Sequence, residues 1–300
     1  MNTIMNIIKP NKLQKGDKIG IVAPAGCVDS QSGALKSKIF LEKCGYEVVF
    51  GKNIFNKNRY LAGSDDEKIQ DLHEFFENDE IKAILCLRGG YGCIRLAEKI
   101  DYDLVRNNPK IFAGYSDISA LCALFFKRSK LITYHAPMAQ SDFGTDNISD
   151  FTSSDMLKIF SKSGEECIKG KTLYKSGNAE GVLFGGNLAT LTSLAGLDFI
   201  PDEKFIFFTE EINEPVYKID RMFTQLLNIG KFRQNISGIV LGEFLNTDDS
   251  VWLEELFSEL ANELNIPTVG GFKITHSREK LTIPVGEKAK IIDNTLTFTY

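Results

Sequence analysis

The chain is poor in the residues that build metal centres. It has three histidines in 300 residues and no His-x-x-x-His, and its six cysteines never stand as Cys-x-x-Cys. The ligand spacing of a zinc site is therefore missing, and no metal or other cofactor is expected. Cys27, Cys44, Cys86, Cys93, Cys122 and Cys167 lie singly, mostly in apolar segments, as reduced and buried thiols do. No apolar run is long enough to span a bilayer, and the N-terminus lacks a charged head followed by an apolar core and a small-residue cleavage site. The expected location is the cytoplasm, with no membrane partner. Charge of one sign is also missing as a stripe: 35 basic and 40 acidic residues are spread along the chain for a net charge of -5, which argues against nucleic acid as a partner. The single tryptophan, Trp252, falls in a helical stretch rather than in a binding loop, and there is no internal repeat or low-complexity tract.

What is present is ample core material, 43% hydrophobic residues, in a length that suits one large domain or two ordinary ones. Apolar strands at Lys18–Pro24, Tyr46–Phe50, Ile81–Leu87, Ile111–Tyr115 and Leu131–Tyr134 alternate with helical stretches, one of them opened by the capping box Ser64–Glu67. That alternation predicts a parallel sheet covered on both faces, with ligands beyond the carboxyl ends of its strands. From about Asp142 to Gly177 the pattern weakens, leaving one helix near Phe151–Phe160. The division expected is an N-terminal α/β domain over 1–145, a linker region over 146–178 and a C-terminal domain over 179–300. The second part opens with a strand at Glu180–Phe184 and a turn at Gly185-Gly186-Asn187, followed by an apolar helix. The strand Phe205–Thr209 then delivers Glu210 and Glu211 at its end. Helices at about 215–228 and 251–264 flank a strand at Ile236–Leu241, and short strands, including a hairpin across Asp293-Asn294, finish the chain.

The stretch Gly114-Tyr115-Ser116-Asp117 turns a strand straight into a helix, with Ser116 at the corner. A serine so placed projects its hydroxyl outward beside the N–H groups of the new helix, as at a nucleophile elbow. The plainer reading is that Ser116 or Asp117 caps the helix. A serine nucleophile needs a base, for which neutral imidazole is the usual choice. His73 sits on an acidic helix at the surface, and His135 ends a strand where a structural hydrogen bond accounts for it. His276 lies in a glycine-opened polar loop where an apolar core gives it no reason to be. Glu210 or Glu211, at the end of an apolar strand, suits the acid that orients the ring. The turn Arg88-Gly89-Gly90-Tyr91-Gly92 either cradles a phosphate or offers a backbone N–H to an oxyanion, and it fits no phosphate-loop motif.

These motifs, in order and nearly from end to end, resemble the serine LD-carboxypeptidases that trim murein peptides, together with their relative, the microcin C self-immunity peptidase. Gly16–Ala25, Arg88–Gly92, Gly114–Asp117, Gly185–Leu188, Glu210–Met222 and His276–Gly286 carry the resemblance. It departs at Glu211, where an aspartate is common, and at Pro215-Val216, where the proline usually precedes the tyrosine directly. The resemblance implies a flavodoxin-like N-terminal domain with a smaller, β-rich C-terminal domain of α+β type, usually in a homodimer. It implies Ser116 as nucleophile, Glu210 and His276 as its partners, and an oxyanion hole from the N–H groups of Gly90 and Asp117. Arg88, Gly89, Tyr115 and Asn187 are the expected substrate contacts, and a murein tetrapeptide losing its terminal D-Ala is the expected substrate. A nucleotidyl-peptide is the alternative substrate; an α/β-hydrolase-type esterase and a nucleotide-binding module are the readings from other classes.

Overall fold

The computed structural model describes residues 5–300. In chain order its elements begin with β1 (Lys18–Val22), α1 (Ser32–Lys43), β2 (Glu47–Phe50), α2 (Asp65–Glu77) and β3 (Ile81–Cys86). Next come α3 (Tyr102–Asn107), β4 (Ile111–Ala113), α4 (Ser119–Leu124), β5 (Thr133–His135) and α5 (Asp150–Ser161). The second half runs β6 (Glu165–Lys169), β7 (Thr172–Lys175), β8 (Asn178–Asn187), α6 (Leu188–Ser193), β9 (Phe205–Ile212), α7 (Val216–Leu227) and α8 (Gly230–Asn235). It closes with β10 (Ile236–Leu245), α9 (Ser250–Leu264), β11 (Thr268–Gly270), β12 (Ile283–Val285), β13 (Lys288–Ile292) and β14 (Thr295–Thr299).

The first sheet has the order β12-β5-β4-β3-β1-β2, with β1 to β5 parallel, so its first five strands follow the flavodoxin-like 2-1-3-4-5 winding. Its strands are continuous apolar runs because helices cover both faces; Ile21, Ile84, Leu85, Ile111 and Phe112 are all buried. Fully burying a side chain of this size contributes about 1.5–3 kcal/mol. The expected capping box is present: Ser64 Oγ accepts from the Glu67 N–H at 3.2 Å and Glu67 Oε2 accepts from the Ser64 N–H at 2.6 Å, which fixes where α2 begins.

The second sheet has eight strands in the order β6-β14-β13-β8-β9-β10-β11-β7, parallel in the middle and antiparallel at both sides. Three differences from the sequence reading matter for the site. The polar 142–177 stretch supplies α5 and also β6 and β7, the two edge strands, whose alternate exposure weakens the hydrophobic signal. Gly185 and Gly186 form no turn but continue β8 to Asn187: a side chain at Gly185 would stand 1.8 Å from the Phe208 carbonyl oxygen, and one at Gly186 2.4 Å from Ser119 Oγ. The apolar strand β9 also runs on through both glutamates to Ile212, with Glu210 in register with Asn187 and Glu211 with Phe244.

The two sheets are laced together. Strand β12, from the C-terminal part, pairs antiparallel with β5 and so joins the first sheet. Helix α4 packs on both β8 and α6, and Ser119 Oγ accepts from the Asn187 N–H at 3.0 Å. Helix α5 fastens the segment beyond His276. Thr152 Oγ1 donates to the Arg278 carbonyl at 2.8 Å and accepts from the Lys280 N–H at 3.0 Å, while Asp155 Oδ2 accepts from the Thr282 N–H at 2.7 Å.

Candidate active site

Ser116 follows β4 in the left-handed region, with φ of 60°, a conformation costing a non-glycine residue about 1–2 kcal/mol. Helix caps sit in extended backbone and accept N–H groups with their side chains. Ser116 does neither, and the Asp117 carboxylate turns away from α4 to accept from the Cys93 N–H at 2.9 Å. The capping reading of this corner therefore fails, and a strained serine at a strand end remains. Burial pushes the Asp117 carboxyl up, against the pull of that N–H.

The Asp117 bond ties the Ser116 turn to the Arg88–Gly92 turn, which leaves the neighbouring strand β3. The two turns touch: a side chain at Gly89 would lie 2.8 Å from Ser116 Cβ and 2.9 Å from its Oγ, so only glycine fits. Gly90 has φ of +117°, which directs its peptide in a way few other residues allow. The β1 and β3 ends flank the point where the strand order reverses, where open α/β sheets bind ligands.

His276 reaches this corner from the second half. Its Nδ1 lies 2.7 Å from Oε2 of the fully buried Glu210, and its ring stands edge-on to Tyr115, with centroids 5.0 Å apart. A carboxylate only accepts hydrogen bonds, so Nδ1 carries the proton and the Nε2 lone pair is left for another partner. The loop is gripped on both sides of the ring: Glu243 Oε2 accepts from Thr275 Oγ1 at 2.6 Å and from Ser277 Oγ at 2.8 Å. Sequence reading overlooked Glu243, although hydroxyl residues on either side of a singled-out histidine are a signal for such an anchor.

Glu211 is differently employed. It accepts from the Ala189 N–H at 2.7 Å, the Ile212 N–H at 2.8 Å and Asn187 Nδ2 at 3.0 Å, so it serves the start of α6, and burial raises its carboxyl. Asn187, an expected substrate contact, is instead buried and committed: Oδ1 caps α6 through the Thr190 N–H at 3.0 Å while Nδ2 holds Glu211. Arg88 gives Nη1 to the Cys27 carbonyl at 2.8 Å and so braces the turn from behind. Tyr115 is buried but lines a cleft of roughly 330 Å³ with His276, Arg278, Asp142 and Lys280. A larger hollow, about 600 Å³, lies along β8 and β13 and contains none of these residues.

The other histidines take no part. His73 Nε2 accepts from the Asp101 N–H at 3.1 Å. His135 is buried and pushed down to about 3, chiefly by desolvation and then by His276 and Lys280, so it stays neutral. All six cysteines are free thiols, Cys167 exposed and Cys44 half-buried. No group of three metal-binding side chains occurs among the described residues.

Comparison with known proteins gives the family. Residues 19–136 match the LD-carboxypeptidase N-terminal domain and residues 180–291 the LD-carboxypeptidase C-terminal domain. The chain belongs to the LD-carboxypeptidase family. It is 39% identical to the probable murein peptide carboxypeptidase of Bacillus subtilis over 94% of this chain and 90% of that protein. Among solved structures, an MccF-like protein from Bacillus anthracis superposes with a TM-score of 0.90 at 27% identity, covering 97% of this chain and 99% of that one. The muramoyltetrapeptide carboxypeptidase from Oxalobacter formigenes superposes with a TM-score of 0.85 at 28% identity, covering 94% and 98%. In this chain the Ser116 corner follows β4 of the first sheet, and Glu210 and His276 lie in the second half.

Proposed function

We propose that this LD-carboxypeptidase is a serine peptidase that releases terminal D-Ala from murein tetrapeptides, with Ser116, His276 and Glu210 as its triad. The observation that carries the reading is the strained backbone of Ser116, next in sequence to a Tyr115 whose ring meets an imidazole engaged at Nδ1 by Glu210. His276 Nε2 takes the Ser116 proton as Oγ attacks the peptide carbonyl. The tetrahedral oxyanion is met by the Gly90 and Asp117 N–H groups, whose turns are tied by the Asp117–Cys93 bond. The imidazolium, stabilised by Glu210, protonates the departing amine. Water then gives a proton to His276 and hydrolyses the acyl-enzyme, restoring Ser116.

The chain would act in the cytoplasm as a homodimer, a state that light scattering reads directly. A murein peptide is favoured over a nucleotidyl-peptide by the cleft beside His276: at roughly 330 Å³ it is near the lower end for ligand pockets, and among the described residues Tyr115 and the His276 imidazole are its only rings. Its other walls offer small polar side chains, Ser149 and Thr152 among them. Two arranged sheets, with serine and histidine contributed by different halves of the chain, also disfavour an α/β-hydrolase-type esterase.

The test is a substrate panel read by mass spectrometry. A tetrapeptide ending in D-Ala should lose free alanine. The pentapeptide ending in D-Ala-D-Ala and an all-L tetrapeptide should react at least about a hundredfold more slowly, the penalty for stranding a buried polar contact. Equal rates on all three would leave a general serine peptidase, and turnover of a nucleotidyl-peptide alone would favour the immunity-type activity.

A further inference from the structure

The cleft beside His276 carries positive charge that the protein leaves partly unanswered. Lys280 and Asp142 are both nearly fully buried and pair with each other, so their charges cancel, and the Lys280 ammonium also sits 4.6 Å from the Tyr115 ring centroid. Arg278 has no carboxylate within ion-pair distance among the described residues. Its Nη2 instead donates to Asn147 Oδ1 at 2.8 Å and to the Ile148 carbonyl at 3.4 Å. Two neutral acceptors therefore hold one arm of the guanidinium in place, while Nε and Nη1 have no protein partner. Other lysines of this region are already neutralised, as Lys273 is by Glu279.

Position adds the chemical argument. In acyl transfer the base that protonates the leaving amine must touch it, so the departing residue stands on the His276 side of the scissile bond. In a carboxypeptidase that residue is a single amino acid, with its carboxylate one carbon from the amine. A guanidinium nitrogen that keeps its N–H donors free gives a carboxylate a charge-assisted hydrogen bond. We infer that Arg278, steadied by Asn147, binds the free carboxylate of the departing amino acid in the cleft formed by Tyr115, His276 and Lys280. An extra residue would bring a neutral amide to this place and leave the guanidinium unpaired, so the same contact refuses endopeptidase substrates. The inference rests on the carboxypeptidase reading and assigns the group that enforces it.

The experiment compares a tetrapeptide ending in D-Ala with the same peptide ending in D-alaninamide, using the full chain. Wild type should favour the acid by at least about thirtyfold in kcat/KM, within the range of a charge-assisted bond. Arg278→Ala should compress the ratio of acid to amide to within about threefold, and Arg278→Lys, which keeps the charge on a differently shaped head, should restore part of it. Because the readout is a ratio within one variant, a general loss of folded enzyme does not move it. A wild-type ratio near one, or a ratio kept intact in Arg278→Ala, would overturn the assignment while leaving the peptidase standing. Release of neither alanine from the acid nor alaninamide from the amide with wild type would bring down the carboxypeptidase reading itself, and the assignment with it.

Discussion

Glu210 Oε2 meets His276 Nδ1 at 2.7 Å across 66 residues of sequence, and Oε1 of the same buried carboxylate has no hydrogen-bond partner among the described residues. Glu210 is thus not shared with another cation or donor. Its one contact is the imidazole, and a positive charge arriving on that ring is answered there. Glu211, one residue on, has its oxygens filled by Ala189, Ile212 and Asn187.

The two adjacent glutamates should separate cleanly by mutation. Glu210→Gln lets the amide donate to Nδ1 and so favours the wrong tautomer; kcat should fall about a thousandfold to ten-thousandfold, as when a triad acid is neutralised. Glu211→Gln should instead lower stability by about 1–3 kcal/mol in urea unfolding, since its NH2 faces a donor, with a much smaller loss of kcat. The reverse order in a kinetic and unfolding comparison would exchange their roles.

Glu243 should behave as a positioning residue. Glu243→Ala removes the acceptor for Thr275 and Ser277, loosening the loop on both sides of His276, and kcat should fall about tenfold to a hundredfold with little change in KM. Glu243→Gln, which keeps an acceptor oxygen, should recover most of that loss. Equal damage from both variants, or a loss confined to KM, would contradict the assignment.

His135 should shape stability rather than rate. Folded, it is held down to about 3, whereas unfolded it titrates near the usual 6.5. Below about pH 6.5 the unfolded chain binds a proton that the folded chain refuses, so stability is complete above that pH and declines as pH falls towards 3. The cost is about 2 kcal/mol at pH 5. Urea midpoints at pH 7 and pH 5 should differ less in His135→Asn than in wild type, and an equal difference in both would contradict this account.

Activity should persist after exhaustive dialysis against a chelator, because a serine–imidazole route supplies nucleophile, base and oxyanion donors from the protein alone. Loss of activity that zinc restores would replace this mechanism with a metal-assisted one.

The amino-acid sequence by itself determined the alternation of apolar strands and helices, the start of α2 through Ser64 and Glu67, and the residue types of the site, because period, capping and turn chemistry act over a few residues. Ser116 and His276 stand out locally, as a serine at a strand corner and a histidine outside any core, whereas the apolar strand offers Glu210 and Glu211 alike and only the family resemblance singles out Glu210. Contacts between distant segments were decided only in the tertiary structure. Gly185 and Gly186 have the composition of a turn, yet they continue β8 because the backbone of Phe208 and the side chain of Ser119 come too close for any Cβ. The edge strands β6 and β7 have no strong pattern, since one-sided burial at a sheet margin demands little hydrophobicity. Asn187 looked free for substrate until Glu211 and the start of α6 claimed it. Whether Ser116 or Asp117 caps the helix depends on the backbone angle of Ser116 and on Asp117 reaching across to Cys93, and neither is a property of the stretch in isolation.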